Sequence, residues 1–172
     1  MREPLYSTNN LPIYGNLTLP VYADGVLQSD QINIVFEWTA YPDLDVAVGF
    51  TGETGVGWRV HAGSTAEMAA LDWVSWDNTT YGPELVDVDV ALMISGECGK
   101  GNDGTNDYYD IRIAAGWYTS GATGESCIIR AIYGAYTDEV TITGLVNNGG
   151  KPTNTHVATL RWTPATSTLE FI

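Results

Sequence analysis

Positively charged side chains are scarce in this chain. Only 7 of its 172 residues are lysine or arginine, against 21 aspartates and glutamates, so the formal net charge is −14 at pH 7. Proteins that bind nucleic acid or anionic lipid neutralise phosphates with clusters of lysine and arginine. The composition therefore argues against nucleic acid and membranes as partners. The acidic excess fits solubility, divalent cations, a basic protein partner or a salty medium, and composition does not choose among these.

Cysteine and histidine are also rare, with two of each. Cys98 and Cys127 lack the paired short spacing of a zinc site, so we interpret them as buried thiols or as a single disulfide. His61 and His156 lie far apart, and no Gly-x-Ser-x-Gly sequence supplies a serine nucleophile. We therefore predict that the protein is not an enzyme. A hydrolase that uses paired carboxylates ranks last among the function classes.

Long hydrophobic runs are absent. Residues 1–22 lack the apolar core of a secretory signal, and no later segment approaches the length of a membrane-spanning helix. We therefore expect a soluble protein with neither a signal peptide nor a transmembrane segment.

What the sequence does contain indicates an all-β domain. Apolar residues make up 44% of the chain, together with 19 glycines, 6 tryptophans and 10 tyrosines, and this composition favours strands and tight turns. Apolar and polar side chains alternate in residues 31–39 and again in 44–50, which is the period of half-buried strands. We expect these two strands to be neighbours. Residues 84–93 are expected to form one strand that turns Asp87 and Asp89 to solvent.

The predicted fold is a two-sheet antiparallel β-sandwich, jelly-roll-like, over residues 23–172. About nine or ten alternating strands with short turns between them favour two sheets packed face to face, and a closed barrel is the alternative. At most one short helix is expected, at the point where Ser64 and Glu67 form a capping box.

Residues 1–22 are predicted to form an extended arm. Three prolines among many apolar residues make this segment hard to fold as a helix and too apolar for a free tail. It either covers an edge of its own sheet or adds to a neighbouring subunit by strand exchange. The candidate assembly residues are Leu11, Ile13, Tyr14, Leu17 and Leu19.

Oxygen-bearing side chains near two predicted strand starts form a candidate calcium site. Calcium takes six to eight oxygen ligands, and loops at one end of a sandwich supply them readily. The candidate ligands are Asp43, Asp45, Asp77, Asn78 and Glu84. The alternative for Asp77 and Asn78 is that they are turn residues whose side chains cap their own backbone.

This region resembles the TerD-type tellurium-resistance domains, which are calcium-binding β-sandwiches. The similar stretches are "DLD" at 43–45, "VHAG" at 60–63 and "DNTTYGPE" at 77–84, the last running into "LVDVDVA". The resemblance extends over about residues 43–92. It implies that Asp43, Asp45, Asp77 and Asn78 are metal ligands.

Tryptophan supplies a second kind of candidate site, because flat rings stack on sugar faces. Trp38 and Trp117 fall in core register and are expected to be structural. Trp58, Trp73 and Trp76 cluster near loops and are the candidate residues for binding a glycan.

Three functions follow from these observations. The favoured one is a non-enzymatic assembly protein, a capsid decoration, cement or tail-associated component of a virion, which binds copies of itself and a larger protein shell through the arm and a sheet surface. The alternative is a small calcium- or glycan-binding module. No cofactor is required by the first function, and calcium is the cofactor expected for the second.

Overall fold

The structure is a computed structural model that describes residues 30–38, 43–50, 56–57, 65–73, 83–117, 126–145 and 156–172. These residues form eleven strands and two short helices. The strands are β1 (Gln31–Glu37), β2 (Leu44–Gly49), β3 (Val56–Gly57), β4 (Leu71–Trp73), β5 (Glu84–Asp89), β6 (Lys100–Asn102), β7 (Asp107–Trp117), β8 (Cys127–Tyr133), β9 (Tyr136–Ile142), β10 (His156–Thr163) and β11 (Thr168–Phe171). The helices are α1 (Thr65–Ala69) and α2 (Val90–Ser95). The predicted arm, residues 1–22, lies outside the described residues.

The strands form two antiparallel sheets, which confirms the predicted sandwich. Sheet A has the order β4-β5-β1-β8-β9. Sheet B has the order β11-β10-β7-β2-β3, and β6 also pairs with β7. Every pair of neighbouring strands is antiparallel.

The core lies between the sheets and consists of the residues that the two-residue period places inward. Ile32, Ile34 and Phe36 of β1 are fully buried, as are Ile111 and Ile113 of β7. Burying each such side chain contributes about 1.5–3 kcal/mol. Alternation along the strands therefore places the core correctly.

The predicted pairing of the first two strands is wrong. β1 pairs with β5 and β8, whereas β2 pairs with β3 and β7 in the other sheet. The two strands are consecutive in the chain but belong to different sheets. Both strands still point their apolar residues into the same core, so periodicity alone does not distinguish a hairpin from a crossover.

The predicted strand over 84–93 ends at Asp89, and α2 begins at Val90. The Asp89 side chain accepts a hydrogen bond of 2.9 Å from the backbone N–H of Leu92, so it caps a helix that the sequence analysis did not predict. Val90 is buried, but Leu92 is 43% exposed and does not face the core as expected.

The two sheets also approach each other at their edges. β9 lies against β11, and β3 lies near β4. In each of these pairs, one strand belongs to sheet A and the other to sheet B. Contacts of this kind cover strand edges that otherwise offer backbone groups to other chains.

Candidate functional site

One end of the sandwich collects several of the predicted site residues. β1 finishes there opposite the start of β5, with Phe36 aligned with Glu84, and β7 finishes there opposite the start of β2, with Trp117 aligned with Leu44. At the other end of the sandwich, near the starts of β1 and β7, the rings of Tyr133 and Trp162 are in contact, with centroids 4.9 Å apart. The strand ends named above therefore share one end. We call it the Glu84 end.

Asp43, Asp45 and Glu84 all lie at the Glu84 end, but Asp45 and Glu84 occupy different faces of their sheets. Asp45 is 2% exposed and alternates with the inward-facing Leu44 and Val46, so it lies on the outer face of sheet B. Glu84 is fully buried and lies on the inner face of sheet A with Val86. Asp43 is half-buried just before β2.

The complete calcium-ligand set is not tested by this arrangement. Asp77 and Asn78 lie outside the described residues. Within the part of the chain that the structure describes, no group of three or more His, Cys, Asp and Glu side chains is placed to hold a metal ion. Calcium binding at this end stays a prediction.

The tryptophans divide as expected where the structure describes them. Trp117 is fully buried and Trp38 nearly so, which confirms their structural role. Trp58 and Trp76 lie outside the described residues, and for Trp73 only the backbone, in β4, is described. The glycan platform therefore also stays a prediction.

The reactive side chains that are described have the properties of packing residues. Cys98 and Cys127 are both free and buried, so no disulfide joins them. The pKa of Cys127 is raised to about 12, chiefly by burial; a backbone hydrogen bond lowers it and the charge of Glu84 adds to the increase. Burial and the charge of Arg112 lower the pKa of His156. These groups form no nucleophile–base pair.

An apolar patch occupies the outer face of sheet A, on the side away from the core. Val35, Leu85 and Ile132 alternate with core residues on three adjacent strands, and they are only 1%, 7% and 3% exposed. They do not belong to the core cluster. We call these three residues the outer patch. Alternation alone would have turned this face to solvent.

Asp87 lies beside the outer patch, and its placement corrects a prediction. It was expected on a solvated face but is only 7% exposed. Burial raises its pKa to about 7, with a further contribution from Asp72 on β4. One sequence signal of this burial exists: Val35 and Leu85 are apolar although they occupy the outward positions of their strands.

Ion pairs complete the outer faces of both sheets. On sheet A, Arg130 pairs with Glu37 at 2.7 Å and with Glu139. On sheet B, Arg161 donates two hydrogen bonds to Asp110, at 2.7 and 2.8 Å, and its guanidinium carbon lies 3.7 Å from the centre of the Tyr108 ring. A bidentate pair with ring stacking orders this surface.

Comparisons with known proteins add no relative: no family model matches the chain, and neither the curated proteins nor the solved structures yield a match. The described helices are all too short to cross a membrane.

Proposed function

We propose that this protein is a non-enzymatic subunit of a larger protein assembly, a capsid decoration, cement or tail-associated component of a virion. The sandwich is its body, and residues 1–22 are the arm that joins it to neighbouring copies or to a shell. The outer patch is the observation that carries this proposal. It gives the sandwich a second apolar face in addition to its core.

An apolar sheet face of this kind stabilises the folded protein when other protein residues pack on it, and not when it is exposed to water. The outer patch consists of three aliphatic side chains on the central strands of sheet A: Val35, Leu85 and Ile132. Each contributes about 1.5–3 kcal/mol when it is covered. The arm is apolar and leads towards β1, the middle strand of that face. An extended terminal segment that covers such a face can be exchanged between identical copies.

The composition of the chain supports the same proposal. Assembly requires a binding surface of complementary shape and no catalytic groups. The described histidine and cysteines form no nucleophile–base pair. The few lysines and the net charge of −14 favour contact with protein over contact with nucleic acid.

Arm substitutions test the proposal in the full-length chain. Replacing Leu11, Ile13 and Leu17 together by serine removes apolar area from the arm without shortening it. We expect light scattering to report an oligomer for the wild type and a smaller species for the variant. The control is Leu92→Ser, which removes an exposed leucine on α2 and leaves the mass unchanged. A wild-type chain that is monomeric at all concentrations contradicts self-assembly.

The Glu84 end supports a second candidate function, binding of calcium or a glycan. The fold brings Asp43, Asp45 and Glu84 to the same end of the sandwich from two different sheets. The segment from 74 to 82, which contains Asp77 and Asn78, leads directly into that end. This candidate does not exclude assembly, because the Glu84 end and the outer patch are different surfaces of the sandwich.

A further inference from the structure

Two aspartates face each other directly on the outer face of sheet A. In the register of the sheet, Asp72 on edge strand β4 is aligned with Asp87 on β5, and Asp87 is aligned with Asn33 on β1. Side chains at aligned positions of antiparallel strands have Cβ atoms about 4.5–5.5 Å apart. Two carboxyl groups therefore lie within reach of each other at the edge of the sheet.

Asp87 has little solvent to stabilise a negative charge. Its side chain is 7% exposed, and its Oδ1 atom is buried with no hydrogen-bond partner. Asn33 on the other side is 1% exposed, and its amide nitrogen donates to the backbone carbonyls of Gln31 and Ile132. A buried carboxylate without partners costs several kcal/mol if it is ionised.

No described cation compensates this charge. On this face, β4 presents Asp72 to Asp87, β1 presents the uncharged Asn33, and the neighbouring outward position on β5 itself is Asp89. The nearest arginine on the described part of the face is Arg130 on β8, two strands away, and it is paired with Glu37 and Glu139. The charged groups facing Asp87 are therefore all acidic.

We propose that Asp72 and Asp87 share a single proton at neutral pH and form a proton-dependent clasp between edge strand β4 and the rest of sheet A. With the proton in place, one carboxyl group donates to the other, and the buried oxygen gains the partner that it otherwise lacks. Loss of the proton leaves two adjacent negative charges, and like charges opposite each other weaken strand pairing.

The clasp gives the stability of the protein a defined pH dependence. The pKa of Asp87 is raised from 3.8 to about 7, so the folded chain holds a proton that the unfolded chain has already released. Stability therefore falls as the pH rises from about 4 to about 7 and is highest at the acidic side of that window. A salt-bridged aspartate gives the opposite slope. β4 is the strand that loosens first, since only β5 pairs with it in sheet A.

The test is a titration of the side-chain carboxyl carbons by NMR in the full-length protein, from about pH 3 to about pH 9. In the wild type, we expect the signal of Asp87 to respond in a near-neutral step. In the variant Asp72→Asn, the midpoint of Asp87 falls by about one pH unit but stays above that of an exposed aspartate, because burial remains. The control Asp30→Asn removes one exposed charge next to β1 and leaves the midpoint unchanged.

Three results overturn the proposal. An Asp87 midpoint near about 4 in the wild type means that the group is ionised at neutral pH. An Asp87 midpoint that is the same in the wild type and in Asp72→Asn means that burial alone raises the pKa and no proton is shared. A midpoint that falls in the wild type when magnesium or calcium is added, but not in Asp72→Asn, means that the pair binds a cation. The wild-type titration decides the first point even if a variant does not fold.

Discussion

The carboxylate of Asp138 on β9 accepts a hydrogen bond of 2.7 Å from the backbone N–H of Phe171 on β11. The two strands are the edges of different sheets, so this bond joins the two sheets along one side of the sandwich. It also satisfies an edge N–H that would otherwise be free to pair with another chain.

Removal of the Asp138 carboxylate is expected to weaken this seam. Asp138→Ala loses a hydrogen bond to a charged acceptor on a half-buried residue, which is worth about 1–2 kcal/mol in the free energy of unfolding. Asp138→Asn retains an acceptor oxygen and is expected to lose less. Urea denaturation of both variants measures the difference. Equal stability of Asp138→Ala and the wild type means that the bond contributes nothing.

Gly99 is expected to tolerate no side chain. Its φ is +67°, and a Cβ atom there would lie 2.2 Å from the backbone oxygen of Asp110, so Gly99→Ala combines backbone strain with a backbone clash. We expect a loss of about 2–4 kcal/mol. Gly134 is the matched control, since its φ is +57° and nothing lies within 4 Å of its added Cβ. Gly134→Ala should cost only about 1 kcal/mol. Similar losses in thermal or urea unfolding would show that strain dominates and the clash relaxes.

Calcium is expected to stabilise the protein if the Glu84 end binds it. A ligand that binds only the folded state stabilises by about 2.7 kcal/mol at a hundred times its Kd, so the melting temperature in calcium should exceed that in chelator by several degrees. Asp45→Asn should abolish the difference. Asp30→Asn, an exposed residue just before the start of β1 at the opposite end, should keep it. Identical melting curves in calcium and chelator remove Asp43, Asp45 and Glu84 from the set of metal ligands.

The sequence predicted the core because burial along a strand is a local pattern. Ile32, Ile34 and Phe36 are buried on β1 as expected, and β10 matches the predicted segment 156–163. The prediction was wrong where the apolar alternation continues beyond the end of the strand. The alternation of Val86 and Val88 continues through Val90 and Leu92, but the strand ends at Asp89, whose side chain caps α2 by accepting from the Leu92 N–H.

The sites were harder to predict because they depend on which strands become neighbours. Nothing in residues 84–93 indicates that Asp72 pairs opposite Asp87. The burial of Asp87 has one signal there, the apolar Leu85 at an outward position. The sequence did identify Asp43, Asp45 and Glu84 as strand-start residues, and the fold places all three at one end. Alternation with their strand neighbours points Asp45 out of the sandwich and Glu84 into its core. The sequence did not reveal that the two residues belong to different sheets.

The mass in solution of the full-length chain and of a chain lacking residues 1–22 tests the assembly proposal most directly. We expect sedimentation equilibrium to give an oligomer for the full-length protein and a monomer for the shortened one, with the same β-sheet circular dichroism for both. The arm then supplies the contacts between copies. A full-length protein that sediments as a monomer, or a shortened protein that remains oligomeric and folded, contradicts the proposal that the arm carries assembly.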